Sequence, residues 1–345
     1  MVLNNARLPL VDALRGIAVI AMVYIHVQHA FSDPARTPHD FNTASNFFGG
    51  WAAPTFLFLA GLSAAWASAK TSPSTLAWRG CEVWLWAMAF RFQEWLVGGV
   101  GARAADMLRV DVLNCIGVSL VLVAAALALT RRHAWLLAVI GASFFGFTET
   151  VRHAAWLAEL APQIAWYVAG PPQMAPFPTF GWTGFAFFGA ALGLVASGPD
   201  RNRTLLRAAT LALILYLPIF ILRSYSPAVV GFEQSDFNAY NMVERLALTV
   251  ALFSLANLLT PLHGWLALLG RHSMIIYWVH VELCYGLLFY HWQRKQPVPV
   301  VLAIALVMMI AMSFLARGQE RLVDWAETMM IPALRRWRTK RTARA

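Results

Sequence analysis

The residues best suited to chemistry lie in the first hydrophobic stretch, LPLVDALRGIAVIAMVYIHVQHAF, where Arg15 and His26 stand eleven positions apart. A charged or titratable group in an apolar helix is expensive. It normally faces the bundle interior, a cavity or the membrane boundary, which makes it a functional candidate. At about 3.6 residues per turn, Asp12, Arg15, Met22 and His26 fall near one face. Asp12 and Arg15 are close enough to pair, while Arg15 and His26 lie about 16 Å apart along the axis. The two cannot grip one atom, but they can serve two ends of a long site. An imidazole exchanges protons near neutral pH, and a guanidinium binds phosphate through paired hydrogen bonds. The bland alternatives are an Asp12–Arg15 pair that closes a helix end and a structural His26 held by a loop carboxylate such as Asp33 or Asp40.

A second set lies near the C-terminus, where Arg271, His272, Ser273, Tyr277, His280 and Glu282 share one apolar stretch. Ser273, Tyr277, His280 and Cys284 recur at spacings of three and four and so share a helix face. A neutral His280 there still needs a partner, either as a site residue or as a core histidine bonded across helices. Arg271 and His272 extend a phosphate site or serve as simple positive anchors. Asp111 and Asn114, just after Arg109, line a site or tie helices together. Glu82, Arg91 and Glu94 mark a helix that cannot face lipid all round, and Arg91 and Glu94 can pair. Among the aromatics, Trp51 and Trp182 lie beside presumed outer loops, as walls of an acceptor pocket or as ordinary interface anchors. No metal-ligand spacing accompanies these histidines, and Cys81, Cys115 and Cys284 form no disulfide framework. Nucleophile-elbow, P-loop and dinucleotide fingerprints are not present in the sequence.

The elements that must position these residues read as lipid-embedded helices. The 345-residue chain is 59% hydrophobic and 13% charged, with mean hydropathy +0.58. We expect an all-α polytopic integral membrane protein with about ten transmembrane helices, at 12–30, 50–69, 78–97, 111–129, 134–148, 181–197, 206–223, 243–260, 271–290 and 298–316. An eleventh crossing at 154–169 stays open, with an interfacial helix as the alternative. The net charge of +10 sits in short connections and in the tail RRWRTKRTARA. That placement argues for positive-inside topology with both termini cytoplasmic, and against a nucleic-acid partner. The tail would meet anionic lipid headgroups. Asp12 and Arg15 interrupt the first stretch, so it reads as a retained helix and not as a cleaved signal. The division expected is a transmembrane domain over 1–320 and a basic cytoplasmic tail over 321–345. Gly189 and Gly193 make a small-xxx-small step suited to close helix packing.

Arg15, ten intervening residues and then His26 is the R-X10-H arrangement, and with it the chain resembles membrane acyltransferase family 3. The wider pattern resembles the bacterial heparan-alpha-glucosaminide N-acetyltransferase-like proteins more closely. It runs in order through VDALRGIAVIAMVYIHV at 11–27, GGWAAPTFLFLAGLSAAW at 49–66, DVLNCIGVSLV at 111–121, FPTFGWTGFAFFGAALG at 177–193 and LGRHSMIIYWVH at 269–280. The resemblance implies a transmembrane acyltransferase of the bacterial inner membrane. It would have no permanently bound cofactor and would use acetyl-CoA or another acyl-CoA as cosubstrate, with a carbohydrate or cell-envelope acceptor. Among His26, His29 and His39 the pattern favours His26 as general base or acyl-handling residue, with His280 and Asp12 as further catalytic candidates. Arg15, Arg271 and His272 then fall to the donor, and His29, Trp51, Asp111, Asn114, Trp182 and Tyr277 to the acceptor. The competing class is a transporter or flippase of an envelope metabolite without covalent chemistry, because intramembrane Asp12, Arg15, His26 and His280 also suit a substrate or proton path.

Overall fold

Helix α1 (Pro9–Phe31) opens with a proline at its first turn, where a missing amide costs nothing. It is buried on nearly every side, which places it at the centre of a bundle and not on its rim. The computed structural model describes residues 8–97, 104–171, 173–225, 238–326 and 328, and these are all-α. After α1 come α2 (His39–Gly50), α3 (Ala52–Ala67), α4 (Pro73–Val97), α5 (Val112–Leu129) and α6 (Ala134–Gly146). The short α7 (Thr148–Arg152) and α8 (Pro162–Ala169) precede α9 (Thr179–Val195) and α10 (Arg201–Tyr225). The chain ends with α11 (Ala239–Leu258), α12 (His263–Arg271), α13 (Ser273–Tyr285) and α14 (Val298–Trp325).

Glycines set how closely these helices approach. A Cβ on Gly16 of α1 would run into the Leu266 carbonyl of α12, and one on Gly270 of α12 into the Asp12 carbonyl of α1. The same reciprocity joins α3 to α9, where Gly61 lies against Ala186 and Gly189 against Phe58. Gly193, one turn on, lies against Leu62, so the Gly189–Gly193 step is a close-packing seam as its spacing suggests. Backbone contact of this kind draws helices together where lipid offers no hydrophobic drive.

The end of α1 is tied down by the segment before α14. The amides of Arg294, Lys295 and Gln296 donate to the carbonyls of Ala30 and Phe31 at 2.9–3.1 Å. Those carbonyls have no partner within their own helix, so this contact completes the helix end and holds Arg294 beside it.

One expectation needs correction, the count of about ten crossings, possibly eleven. Among the described residues four helices are long and apolar enough to cross a membrane: Pro9–Phe31, His39–Ala67, Ala105–Leu129 and Val298–Trp325. A fifth arises only if Ala239–Leu258 and Thr260–Arg271, bent by 81°, count as one span. Spanning takes about twenty apolar residues. Both α6 and α13 have 13 residues, while α9 has 17 and carries a break at Phe180–Gly181. Helix α4 is long but bears Arg79, Glu82, Arg91 and Glu94, and α10 contains Pro218 and extends beyond the residues whose side chains are described. Segment 154–169 is a 3-10 turn followed by the eight-residue α8, so it adds no crossing. The connection between the first two expected crossings is mostly α2, which runs through Trp51 into α3. The basic run 335–345 of the tail lies outside the described residues.

Substituting Gly61→Val should destabilise the protein by about 1–3 kcal/mol, the range typical of overpacking, because a backbone carbonyl and not a movable side chain stands in the way. Gly318 of α14 has open space where an added methyl group would stand, so Gly318→Ala should instead stabilise by about 0.5–1 kcal/mol. Thermal unfolding midpoints of the two variants in detergent check both signs.

Candidate active site

His26 lies five residues before the end of α1 and meets His280 of α13, whose side chain is completely buried (0% exposed). His26 Nδ1 and His280 Nε2 are 2.8 Å apart. The other nitrogen of His280, Nδ1, is 2.6 Å from the Ile276 carbonyl oxygen. A carbonyl only accepts, so Nδ1 of His280 carries the proton, and in the neutral ring Nε2 is the acceptor. His26 must then donate through Nδ1, which leaves its Nε2 with a lone pair. The ring of Tyr285, at the end of α13, closes on His26 edge-on at 5.8 Å between centroids. One face of a neutral, oriented imidazole is thereby fixed, and its basic nitrogen is kept out of the pair.

One turn below, a buried ionic network joins three helices. Arg91 of α4 pairs with Glu94 on its own helix and, at 3.1 Å, with Asp111 Oδ2. The Tyr277 hydroxyl of α13 donates to the same carboxylate oxygen at 3.0 Å. Asp111 is also the N-cap of α5. Its Oδ1 accepts from the amides of Leu113 and Asn114 at 3.0 and 3.1 Å, and the Asn114 side chain returns a bond to the Asp111 amide. This reciprocal capping box satisfies the orphan donors of the helix start. Asn114 Nδ2 and Trp84 Nε1 both donate to the Tyr167 oxygen, at 3.1 and 2.8 Å. Burial pushes the Tyr167 phenol above its ordinary value, against the effect of those two donors. Arg91 is 7% exposed and Asp111 2%. Stripping one partner from a buried ion pair leaves an uncompensated charge, at a cost of about 3–5 kcal/mol. The network therefore locks α13 in position, and Tyr277 lies with its ring 6.0 Å from that of His280.

Tyr285 forms part of two cavities. The smaller, about 240 Å³, is lined by Arg91, Arg109, Glu94, Asp106 and Glu282. The larger, about 740 Å³, lies beside the end of α1 and the start of α2 and is lined by Gln28, His29, Ser32, Thr37, His39, Asn42, Asn46 and Arg294. Gln28 donates to Asn42 Oδ1 at 3.0 Å, and His29 Nε2 donates to Asn46 Oδ1 at 2.8 Å. A third cavity, about 810 Å³, lies across α2 and includes Trp51.

The remaining sequence candidates fall elsewhere. Arg15 pairs with Asp12 at 3.1 Å and reaches Ser63 at 3.5 Å, with 24% of its side chain exposed. Arg271 pairs with Glu320 at 2.7 Å, and His272 bonds Gln319 at 2.7 Å. All three basic residues belong to the start of α1 and the α12–α13 junction, the opposite end from His26. Trp182 is buried against Phe177 and Phe185, with Arg245 over its ring at 5.8 Å. Asp33 pairs with Arg36, so it does not hold His26. Sequence reasoning missed Tyr285, Gln28, Asn42, Asn46 and the pairing of Arg91 with Asp111. The Asn42–Asn46 spacing of four, on one helical face, was the available signal.

Residues 7–224, well over half of the chain, match the family described as heparan-alpha-glucosaminide N-acetyltransferase, catalytic. No curated protein matches the chain. The matched segment contains Arg15 and His26, Arg91, Asp111 and most of the wall of the larger cavity, while His280 and Tyr285 come from beyond it. With its apolar helices and this family match, the chain belongs to the heparan-alpha-glucosaminide N-acetyltransferase family of membrane acyltransferases.

Proposed function

We propose that the protein moves an acyl group, in the first instance acetyl, from acyl-CoA to a carbohydrate or cell-envelope acceptor, with His26 as general base. The observation that carries this reading is the His26–His280 bond, which leaves His26 Nε2 unprotonated and oriented. Acyl transfer needs a base that takes a proton from the acceptor as it attacks the thioester carbonyl. The carbon–sulfur bond then breaks, and the proton passes from His26 to the departing thiolate. His280 is a positioning residue, because it acts on the acceptor only through His26.

The donor reading rests on the basic end of the bundle. Arg15 would bind CoA phosphates there, with Asp12 holding the guanidinium and Arg271 and His272 nearby. That end would face the cytoplasm of a bacterial inner membrane, with both chain termini on the same side. His26, about 16 Å further along α1, would face the acceptor, so that the acyl group crosses much of the membrane during transfer. An unmodified substrate that crosses the membrane without release of CoA would point to transport instead.

Radiolabelled acetyl-CoA supplied to purified protein with an envelope glycan extract tests the proposal. His26→Ala should lower transfer by about 10²–10⁴-fold, the usual share of a general base, while the protein stays folded. Unchanged transfer would remove His26 from the role. His280→Ala should cost about 10²-fold, as a misplaced catalytic group does, and the loss should fall on kcat with KM unmoved. His280→Gln, whose amide oxygen can still accept from His26 Nδ1, should recover part of that loss. Equal losses in both His280 variants would mean that the residue acts only in packing.

A further inference from the structure

The wall of the larger cavity has its amide oxygens engaged by the protein and its amide protons unengaged. Asn42 and Asn46 stand four apart on α2 and share a face. Each gives its side-chain oxygen to a protein donor, Asn42 to Gln28 and Asn46 to His29. Neither amide nitrogen has a protein partner among the described residues, and both side chains are exposed. An amide nitrogen offers two protons and accepts nothing. The hydroxyls of the wall are bonded among themselves. Thr37 donates to the Asp33 carbonyl at 2.7 Å, so the buried Ser32 donates to Thr37 at 2.6 Å.

Arg294 adds a charge to these donors. Its guanidinium has no carboxylate partner among the described residues, whereas Arg15, Arg36, Arg91 and Arg271 each have one. Its backbone lies in the left-handed region at φ 56°, which is uncommon for a residue other than glycine. The bond from its amide to the Ala30 carbonyl at 2.9 Å ties it to the end of α1. Among the described residues that line the cavity none is a carboxylate. The neighbouring carboxylates are engaged elsewhere. Asp33 is taken by Arg36 and by the Ala35 amide, and Asp40 lines the third cavity.

We infer that this cavity is a binding site for an oxyanion, a carboxylate or phosphate carried by a sugar or by a lipid headgroup. A guanidinium and two amide nitrogens are donors that such an anion accepts, and the bond to the guanidinium is charge-assisted. A neutral hydroxyl can use the amides but leaves the guanidinium without a counter-charge. Small-molecule clefts run roughly 300–1,000 Å³, and about 740 Å³ leaves room for the sugar or glycerol that bears the anion. The site is defined by its own donors and does not depend on the acyltransferase reading. His26 does not line it. Tyr285 does, with its ring 5.8 Å from that of His26. Under the acyltransferase reading a sugar anion held here is therefore a handle on the acceptor and not the group acylated.

The full-length protein in an uncharged polyoxyethylene detergent, without acetyl-CoA, tests the inference by saturation-transfer NMR titration. One arm compares methyl glucuronide with methyl glucoside, and the other compares short-chain phosphatidylglycerol with short-chain phosphatidylcholine. In at least one arm the anionic probe should bind about tenfold tighter than its counterpart, as one charge-assisted bond provides. Arg294→Gln should remove that preference. Asn42→Asp should weaken the anion more than Asn42→Ala does, because it replaces a donor with a like charge. Raised salt should weaken the anionic probe and leave the methyl glucoside unmoved. Both positions are exposed, so the variants should unfold at the wild-type temperature. A preference confined to the glucuronide identifies a sugar anion as the source, and one confined to phosphatidylglycerol identifies a lipid headgroup. No charge preference in either arm, or a preference that survives Arg294→Gln, would overturn the site. Acetyl transfer is read in a separate assay, so its failure and the failure of this inference are told apart.

Discussion

His280 donates its Nδ1–H to a carbonyl one turn back in its own helix, and that single bond determines what the neighbouring histidine can do. A backbone carbonyl inside a helix already accepts from the amide four residues on, and its second lone pair takes the imidazole. With the His280 tautomer fixed, the direction of the His26–His280 bond is fixed, and so is the nitrogen of His26 that remains basic. No carboxylate is needed to hold the imidazole. In a low-dielectric bundle this has a physical merit, since a buried carboxylate would bring its own desolvation cost.

The pair forms only if α13 stays in register with α1, and two kinds of contact secure that. At one end Gly16 and Gly270 let α1 and α12 touch backbone to backbone, which sets where α13 must begin. In the middle the Asp111 carboxylate takes Tyr277 from α13 and Arg91 from α4 while it caps α5. Asp111, Asn114 and Tyr277, expected on the acceptor side, thus also fix α13, and with it His280, against its neighbours. Asp111 and Asn114 have the polar groups of their capping box engaged by protein partners, as buried polar groups require.

The legible part of the site was the part written in rare residues. Arg15 and His26 in one apolar helix, His280 in another and Arg91 in a third are each costly in such surroundings, so type and spacing marked them without knowledge of the fold. Their partners were not legible. That His26 meets His280 and not Asp33, or that Arg91 meets Asp111, depends on contacts between helices far apart in sequence, which no local pattern encodes. The walls of the larger cavity were missed for the opposite reason, since Asn and Gln on a polar turn look like ordinary surface. The number of crossings failed on length. Hydropathy averaged over a window sees an apolar stretch but not the break at Phe180–Gly181 or the 81° bend after Leu258.

The family match ends at residue 224, yet half of the histidine pair lies beyond it. A helix bearing His26 alone would leave the imidazole free to choose its tautomer and rotamer. The residues outside the matched segment supply that constraint through His280, and they supply Tyr285, the wall shared by both cavities. They also supply Arg294, a lining residue of the larger cavity, in a segment whose three backbone amides complete the carbonyls at the end of α1. The same bonds that finish the central helix therefore bring a guanidinium to the wall of the cavity. His26 thus belongs to α1, inside the matched segment, while the partner that orients it and the guanidinium that lines the nearby cavity come from the C-terminal part of the chain.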